Sequence, residues 1–207
     1  MKKLEQNETG YRKLNLYAHG LLSEAQLHSL YRLELEGGPH AMNILEIKEA
    51  LGFDTERLQP GPVSKALFWV RGAIGKFFRW EEADDLIEKE TYVKFLSPED
   101  KSRSLVPPGE KEGISRVLYC FGNEFAAEII NRTVHCFWVM ASETTESGYA
   151  LYVAVYVRKL NWFTPFYMAL VTPILKLVIY PSLNRSIINS WERFRRSRDW
   201  KPLSTAH

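Results

Sequence analysis

The sequence predicts an α+β fold of helix-grip type, a curved antiparallel sheet wrapped around a long C-terminal helix. Three observations predict it. Over residues 151–157 nearly every position is β-branched or aromatic, the pattern of a strand covered on both faces. Further strand patterns, separated by turn signals, lead up to that stretch from Gly113 onward. An apolar run over residues 162–180 follows it and supplies one of the covers.

The chain has 207 residues, enough for one domain with its own core; 45% are hydrophobic and 25% charged, a globular profile. A net charge of +2 provides no general field for nucleic acid, so none is expected as a partner, although Arg193, Arg195, Arg196, Arg198 and Lys201 crowd near the end. Cys120 and Cys136 form neither a CxxC pair nor a disulfide framework and are expected as buried thiols. The opening MKKLEQNETGYRK has no apolar segment or cleavage site behind it, so no secretory signal is read and a cytoplasmic location is expected.

Taken in order, residues 1–40 are polar and irregular, with a short helix expected at LSEAQLHSLYRLE and a turn at Gly37, Gly38 and Pro39; they are expected as an N-terminal extension. The domain proper is expected over residues 41–200, with a tail at 201–207. Asn43 caps an amphipathic helix, NILEIKEALGF, whose Ile44, Ile47 and Leu51 share a face and which stops at Gly52. After a Pro-Gly-Pro break, VSKALFWVRGAIGKFFRW reads as a second helix with Leu67, Val70, Ile74, Phe77 and Phe78 on one side. A charged connector follows, holding the acidic group Glu81, Glu82, Asp84 and Asp85; it lacks calcium-loop spacing and reads as wet surface.

The strand patterns are ISRVLYCF, EFAAEIINRT, VHCFWVMAS and YALYVAVYVRKL, an antiparallel meander with a tight hairpin at Gly122 and Asn123 and a looser turn through SETTESG. The last helix begins after Asn161, with Thr164 and Pro165 in its first turn, and Pro173 and Pro181 are expected to bend or segment it. Residues 162–180 have about the length that crosses a bilayer, but Lys176 and the two prolines favour a buried or interfacial helix. Between sheet and helix an apolar tunnel is expected, the default ligand site.

The stretches LFWVRGAIGKFFRW, NEFAAEIINRTVHCFWVMA and LYVAVYVRKLNWFTPFYMALVTPILKLVIYP, across residues 43–195, resemble an uncharacterised family of the START and polyketide-cyclase-like helix-grip (SRPBCC) superfamily. Some relatives of that family are carried behind a Rossmann-type epimerase or reductase domain. The resemblance implies a START-like fold with an apolar-ligand cavity, and it carries over no catalytic residue. No GxGxxG follows a strand, so no Rossmann partner is expected within this chain.

Among titratable groups, His135 stands out as a base or hydrogen-bond anchor inside a strand, with Glu128 and Glu124 sharing a face by the period of two. A bend at residues 131–133 would let Glu128 and His135 converge as an acid/base pair; the competing reading is a hydrogen-bonded core histidine with glutamates toward water. Trp138, Tyr152, Tyr156, Trp162, Tyr167 and Tyr180 are the candidate ligand-binding residues, each an apolar body with a polar tip, and each taken singly reads first as core. Arg158 and Lys159 read either as a head-group contact or as a solvated pair. No Ser-His-Asp order, HExxH, P-loop or metal-ligand spacing occurs, and no cofactor or metal is expected. Asn131-Arg132-Thr133 matches a glycosylation acceptor by chance within a strand pattern.

Three functions follow. The first is binding of a hydrophobic small molecule of lipid, polyketide or isoprenoid type in the sheet–helix cavity. The second is a cyclase- or isomerase-like enzyme using His135 and a glutamate in that same cavity. The third is a peripheral membrane or partner-binding protein contacting through its C-terminal helix. Oligomeric state is not legible.

Overall fold

The structure is a computed structural model that describes residues 4–39, 41–52, 88–113, 115–130, 134–160, 162 and 164–197. The expected second helix, the acidic group at residues 81–85, the bend at 131–133 with its acceptor motif, and the tail lie outside the described residues.

Among the described residues six strands form one antiparallel sheet in the order β1-β6-β5-β4-β3-β2. They are β1 (Gln26–Glu36), β2 (Lys111–Glu112), β3 (Ser115–Cys120), β4 (Glu124–Ile130), β5 (Val134–Thr145) and β6 (Gly148–Lys159). Bulges in β1 between Leu27 and Ser29 and in β3 between Val117 and Tyr119 bend the outer strands and curve the sheet. β6 lies between β1 and β5 and is buried at most positions, as its run rich in β-branched and aromatic residues requires.

At two places the fold departs from the sequence expectation. The stretch read as a short helix within an extension at residues 1–40 is β1, paired with β6 from Gln26↔Val157 to Glu36↔Gly148. Its Leu27 and Leu30 stand three apart, which imitates helical periodicity, but the bulge at His28 shifts the phase so that both face the same side of the sheet. The looser turn through SETTESG is also shorter than expected. β5 runs on to Thr145, and only Glu146 and Ser147 turn the chain into β6.

Helices cover both faces. On one face lie α1 (Leu4–Lys13), α2 (Tyr17–Leu21) and a 3₁₀ turn (Tyr92–Phe95), which bury Tyr11, Leu16, Ala18, Leu22, Tyr92 and Leu96 against Phe137, Val139, Ala154 and Tyr156. α4 (Pro98–Arg103) follows the turn and is capped by Ser97. On the opposite face lie α3 (Ile44–Ala50) and the C-terminal helices, with Ile44, Ile47, Leu51, Ile187 and Trp191 packed on Phe125, Met140, Tyr149 and Leu151. Each such aliphatic or aromatic side chain contributes about 1.5–3 kcal/mol by leaving water. α3 is framed as its sequence predicts: Asn43 and Glu46 form a reciprocal capping box at 2.9 and 2.8 Å, and Gly52 leaves the helix at φ 71°.

The C-terminal segment is broken where its prolines stand. α5 (Thr164–Ile174) contains Pro173 and passes through a π turn (Leu175–Ile179) into α6 (Tyr180–Ser197), with Pro181 in the first turn of α6. Pro173 withholds a donor from the helical ladder, and the π turn takes up the mismatch. Ile187 and Trp191 fill the space between α6 and the sheet, being 3% and 4% exposed, and Trp191 Nε1 donates to the Glu36 carbonyl at 3.0 Å. The expected apolar tunnel is therefore packed with side chains beneath α6. Open space survives beneath α5 and between α3 and α6. No helix among the described residues is long and apolar enough to cross a membrane.

Candidate functional site

Strand alternation sorts the candidate residues. In β4 and β5 the register Ile130↔His135 and Glu128↔Phe137 puts Glu128 and His135 on one face, diagonal to each other. His135 Nε2 lies 2.9 Å from Glu128 Oε2, with both side chains buried. The carboxylate also accepts the Tyr92 backbone N–H at 3.0 Å and the Thr91 hydroxyl. Phe137 and Tyr92 enclose the imidazole, their ring centroids 4.2 and 5.3 Å away. His135 Nδ1 is buried without a hydrogen-bond partner among the described residues. Arg158, read at the strand end either as a head-group contact or as a solvated residue, donates to Glu90 at 2.6 Å and lies 5.8 Å above the Tyr92 ring, so it braces the same turn.

Glu124 stands four residues from Glu128, about 13 Å along the strand, and takes no part in that pair. Its two oxygens accept the backbone N–H groups of Tyr17 at 2.8 Å and Ala18 at 2.9 Å, and the Tyr119 hydroxyl at 2.6 Å. Leu16 precedes α2 and offers it no side-chain cap, so a carboxylate from the sheet satisfies the first orphan donors of that helix. Burial pushes the Glu124 carboxyl above the usual range, against the lowering effect of these bonds. Neither glutamate points to water.

The six aromatic candidates do not form one pocket. Tyr152 and Tyr156 are buried on the His135 face, where the Tyr152 hydroxyl accepts Arg32 Nε at 3.1 Å and the Tyr156 hydroxyl donates to that of Tyr11 at 3.2 Å. Burial, then the charge of neighbouring Tyr156, pushes the Tyr11 hydroxyl's pKa up, so it stays protonated. Trp138 belongs to the opposite face, 5.0 Å from the Phe125 ring. Trp162 is 80% exposed. Tyr167 and Tyr180 lie in α5 and α6, their side chains outside the description.

Beneath α5 is a groove of about 220 Å³ lined by Gln26, His28, Val157, Lys159, Thr164, Pro165 and Met168. Val157 and Cys136 pair across β5 and β6 and meet Met168 and Leu175 from the C-terminal segment. His28 Nε2 lies 3.2 Å from Thr172 Oγ1, and burial followed by the charge of Lys176 lowers its pKa. Sequence reading missed His28, Gln26, Thr91 and Tyr92; His28 stands at the β1 bulge, within a stretch that imitates a helix. Because Val157 faces α5 while its neighbour Arg158 pairs opposite His135, the groove and the His135–Glu128 pair occupy opposite faces of the sheet. The expectation that both share one cavity is overturned by the period of two.

A second groove, of about 340 Å³, lies between α3 and α6, lined by Pro39, Ala41, Met42, Glu46, Glu49, Ala50 and Phe194. Among the described residues no three His, Cys, Asp or Glu side chains gather to hold a metal.

The structure thus defines an α+β protein with a curved antiparallel sheet, a buried carboxylate–histidine pair on one face and a groove of about 220 Å³ at the other. The chain matches, over residues 21–182, the family described as Protein of unknown function (DUF2867), and it belongs to that family. It is also similar to a solved structure, the di-domain ARO/CYC StfQ from the steffimycin biosynthetic pathway, with 10% sequence identity and a TM-score of 0.37, covering 95% of this chain and 62% of that one. No curated protein matches the chain.

Proposed function

We propose that the protein binds a small, mainly apolar molecule with one polar end in the groove between β6 and α5. The observation that carries this reading is the lining itself. Val157, Pro165 and Met168 offer an apolar wall, while His28, Gln26, Lys159 and Thr164 offer donors and acceptors at the rim. At about 220 Å³ the groove lies below the ~300–1,000 Å³ typical of drug-sized ligands. A single acyl segment or a one- or two-ring body fits it.

Solvent extraction of the protein purified under mild conditions, followed by mass spectrometry, identifies what it retains. Met168→Trp fills the groove from the helix side and is expected to lower retention of that compound by at least about tenfold, a loss of 1.4 kcal/mol or more, without loss of folding. Full retention by this variant would overturn the assignment of the groove.

A second reading is favoured by one specific observation, the buried His135 Nδ1 that lacks a partner among the described residues. Glu128 holds the other nitrogen, so the imidazole is oriented as a general base or acid toward a substrate entering under the Thr91–Leu96 turn. His135→Gln keeps the residue polar. It is expected to abolish turnover of any substrate found while changing stability little, and a variant turning over at the wild-type rate would dismiss the reading.

A further inference from the structure

The edge of the molecule formed by α5 exposes a run of apolar residues. Residues 159–191 contain no Asp or Glu, although the chain carries 25 acidic residues in all. The charges in this stretch are Lys159, Lys176 and Arg185, and all three are exposed. Alongside them Pro165, Ala169, Pro173 and Leu177 are exposed at successive intervals of four, with Trp162 before them. Leu177 is 77% and Trp162 80% exposed. Positions four apart stay close to one line along a helix, so these side chains form a row instead of the scattered exposed apolar residues of ordinary surfaces.

We propose that the α5 edge docks on an anionic lipid surface. An apolar row ended by a tryptophan, in a stretch whose only charged residues are cations, matches the interfacial zone of a bilayer, where indole rings settle at head-group depth and lysine stems reach outward to phosphate. Within residues 159–191 no carboxylate opposes such a surface. Pro165 belongs to this row and also lines the groove beneath α5. On the ligand reading above, an apolar molecule passes from the bilayer into the groove along that residue. The docking itself rests on the exposed row and its charges alone.

The test is co-sedimentation of the full chain with phosphatidylcholine vesicles and with vesicles containing about 30% phosphatidylserine. Binding is expected to the anionic vesicles, and to fall as salt rises. Leu177→Glu is expected to weaken it at least tenfold, and Lys176→Glu by roughly fivefold or more. Both sites are exposed, and an unchanged circular dichroism spectrum verifies that each variant folds. Failure of the wild type to sediment with anionic vesicles would overturn the proposal, as would equal binding by Leu177→Glu. A dimer that Leu177→Glu dissolves would instead assign the edge to a second copy of the chain. Retention of a groove ligand by protein that ignores vesicles would separate the failure of docking from that of the ligand reading.

Discussion

Glu124 and Glu128 show how one residue type on one strand face can do the same job twice. Each carboxylate reaches up from β4 to a short element that has to be held down: Glu124 to the first donors of α2, and Glu128 to the Tyr92 N–H and Thr91 hydroxyl at the 3₁₀ turn. Buried donors without partners cost about 1–3 kcal/mol each, so these acids fix the covers in place. Glu124→Gln puts an amide N–H₂ against a donor, and is expected to cost about 1–3 kcal/mol in urea unfolding at neutral pH. Its pH dependence is a second readout. Because the folded carboxyl is held above its ordinary value near 4.3, the folded state keeps a proton that the unfolded chain has released. Stability therefore falls as pH rises from the ordinary glutamate range through the raised folded value. Unfolding titrations across the acid range are expected to show that slope in the wild type and to lose it in Glu124→Gln.

At the level of elements, the pairing of β1 with β6 is set by the tight turn that begins β6. Gly148 sits at φ 147°, and a Cβ there would come within 2.1 Å of the Leu35 carbonyl oxygen and 2.8 Å of the Gly37 nitrogen. Gly37 N in turn donates to the Ser147 carbonyl at 2.6 Å. Gly148→Ala must therefore push β1 away or break the hairpin, and it is expected to destabilise the protein by about 2–4 kcal/mol. Thermal unfolding checks this; a melting temperature equal to the wild type's would show that the strand ends yield more easily than their backbone contacts indicate.

Across the whole molecule, the sheet has two dry faces and depends on the N-terminal segment for one of them. Tyr11, Leu16, Ala18 and Leu22 are at most 5% exposed, and three of them are large. At about 1.5–3 kcal/mol for each large side chain, their burial rivals the whole net stability of about 5–15 kcal/mol typical of a domain. Deleting residues 1–25 is expected to abolish cooperative unfolding and raise binding of a hydrophobic dye. A truncated chain that melts with an undiminished cooperative transition would favour the extension reading.

How much was legible can be argued from particular residues. The strands of the β3–β6 meander, the Asn43 cap, the Gly52 stop and the break at Pro173 follow from local chemistry: backbone propensity, capping groups and missing donors act over a few residues, and the sequence by itself determined them. The pairing of Glu128 with His135 on one face follows from strand alternation together with the β4–β5 register. Tertiary structure alone decided that Glu124 caps a helix 106 residues away from it, that β1 is a strand, and that a groove lies under α5 while Trp191 and Ile187 fill the space between α6 and the sheet. In each case the deciding partner is remote in sequence. A bulge that resets alternation, an open strand edge on β6 and the volume filled by Trp191 become visible only when distant segments meet.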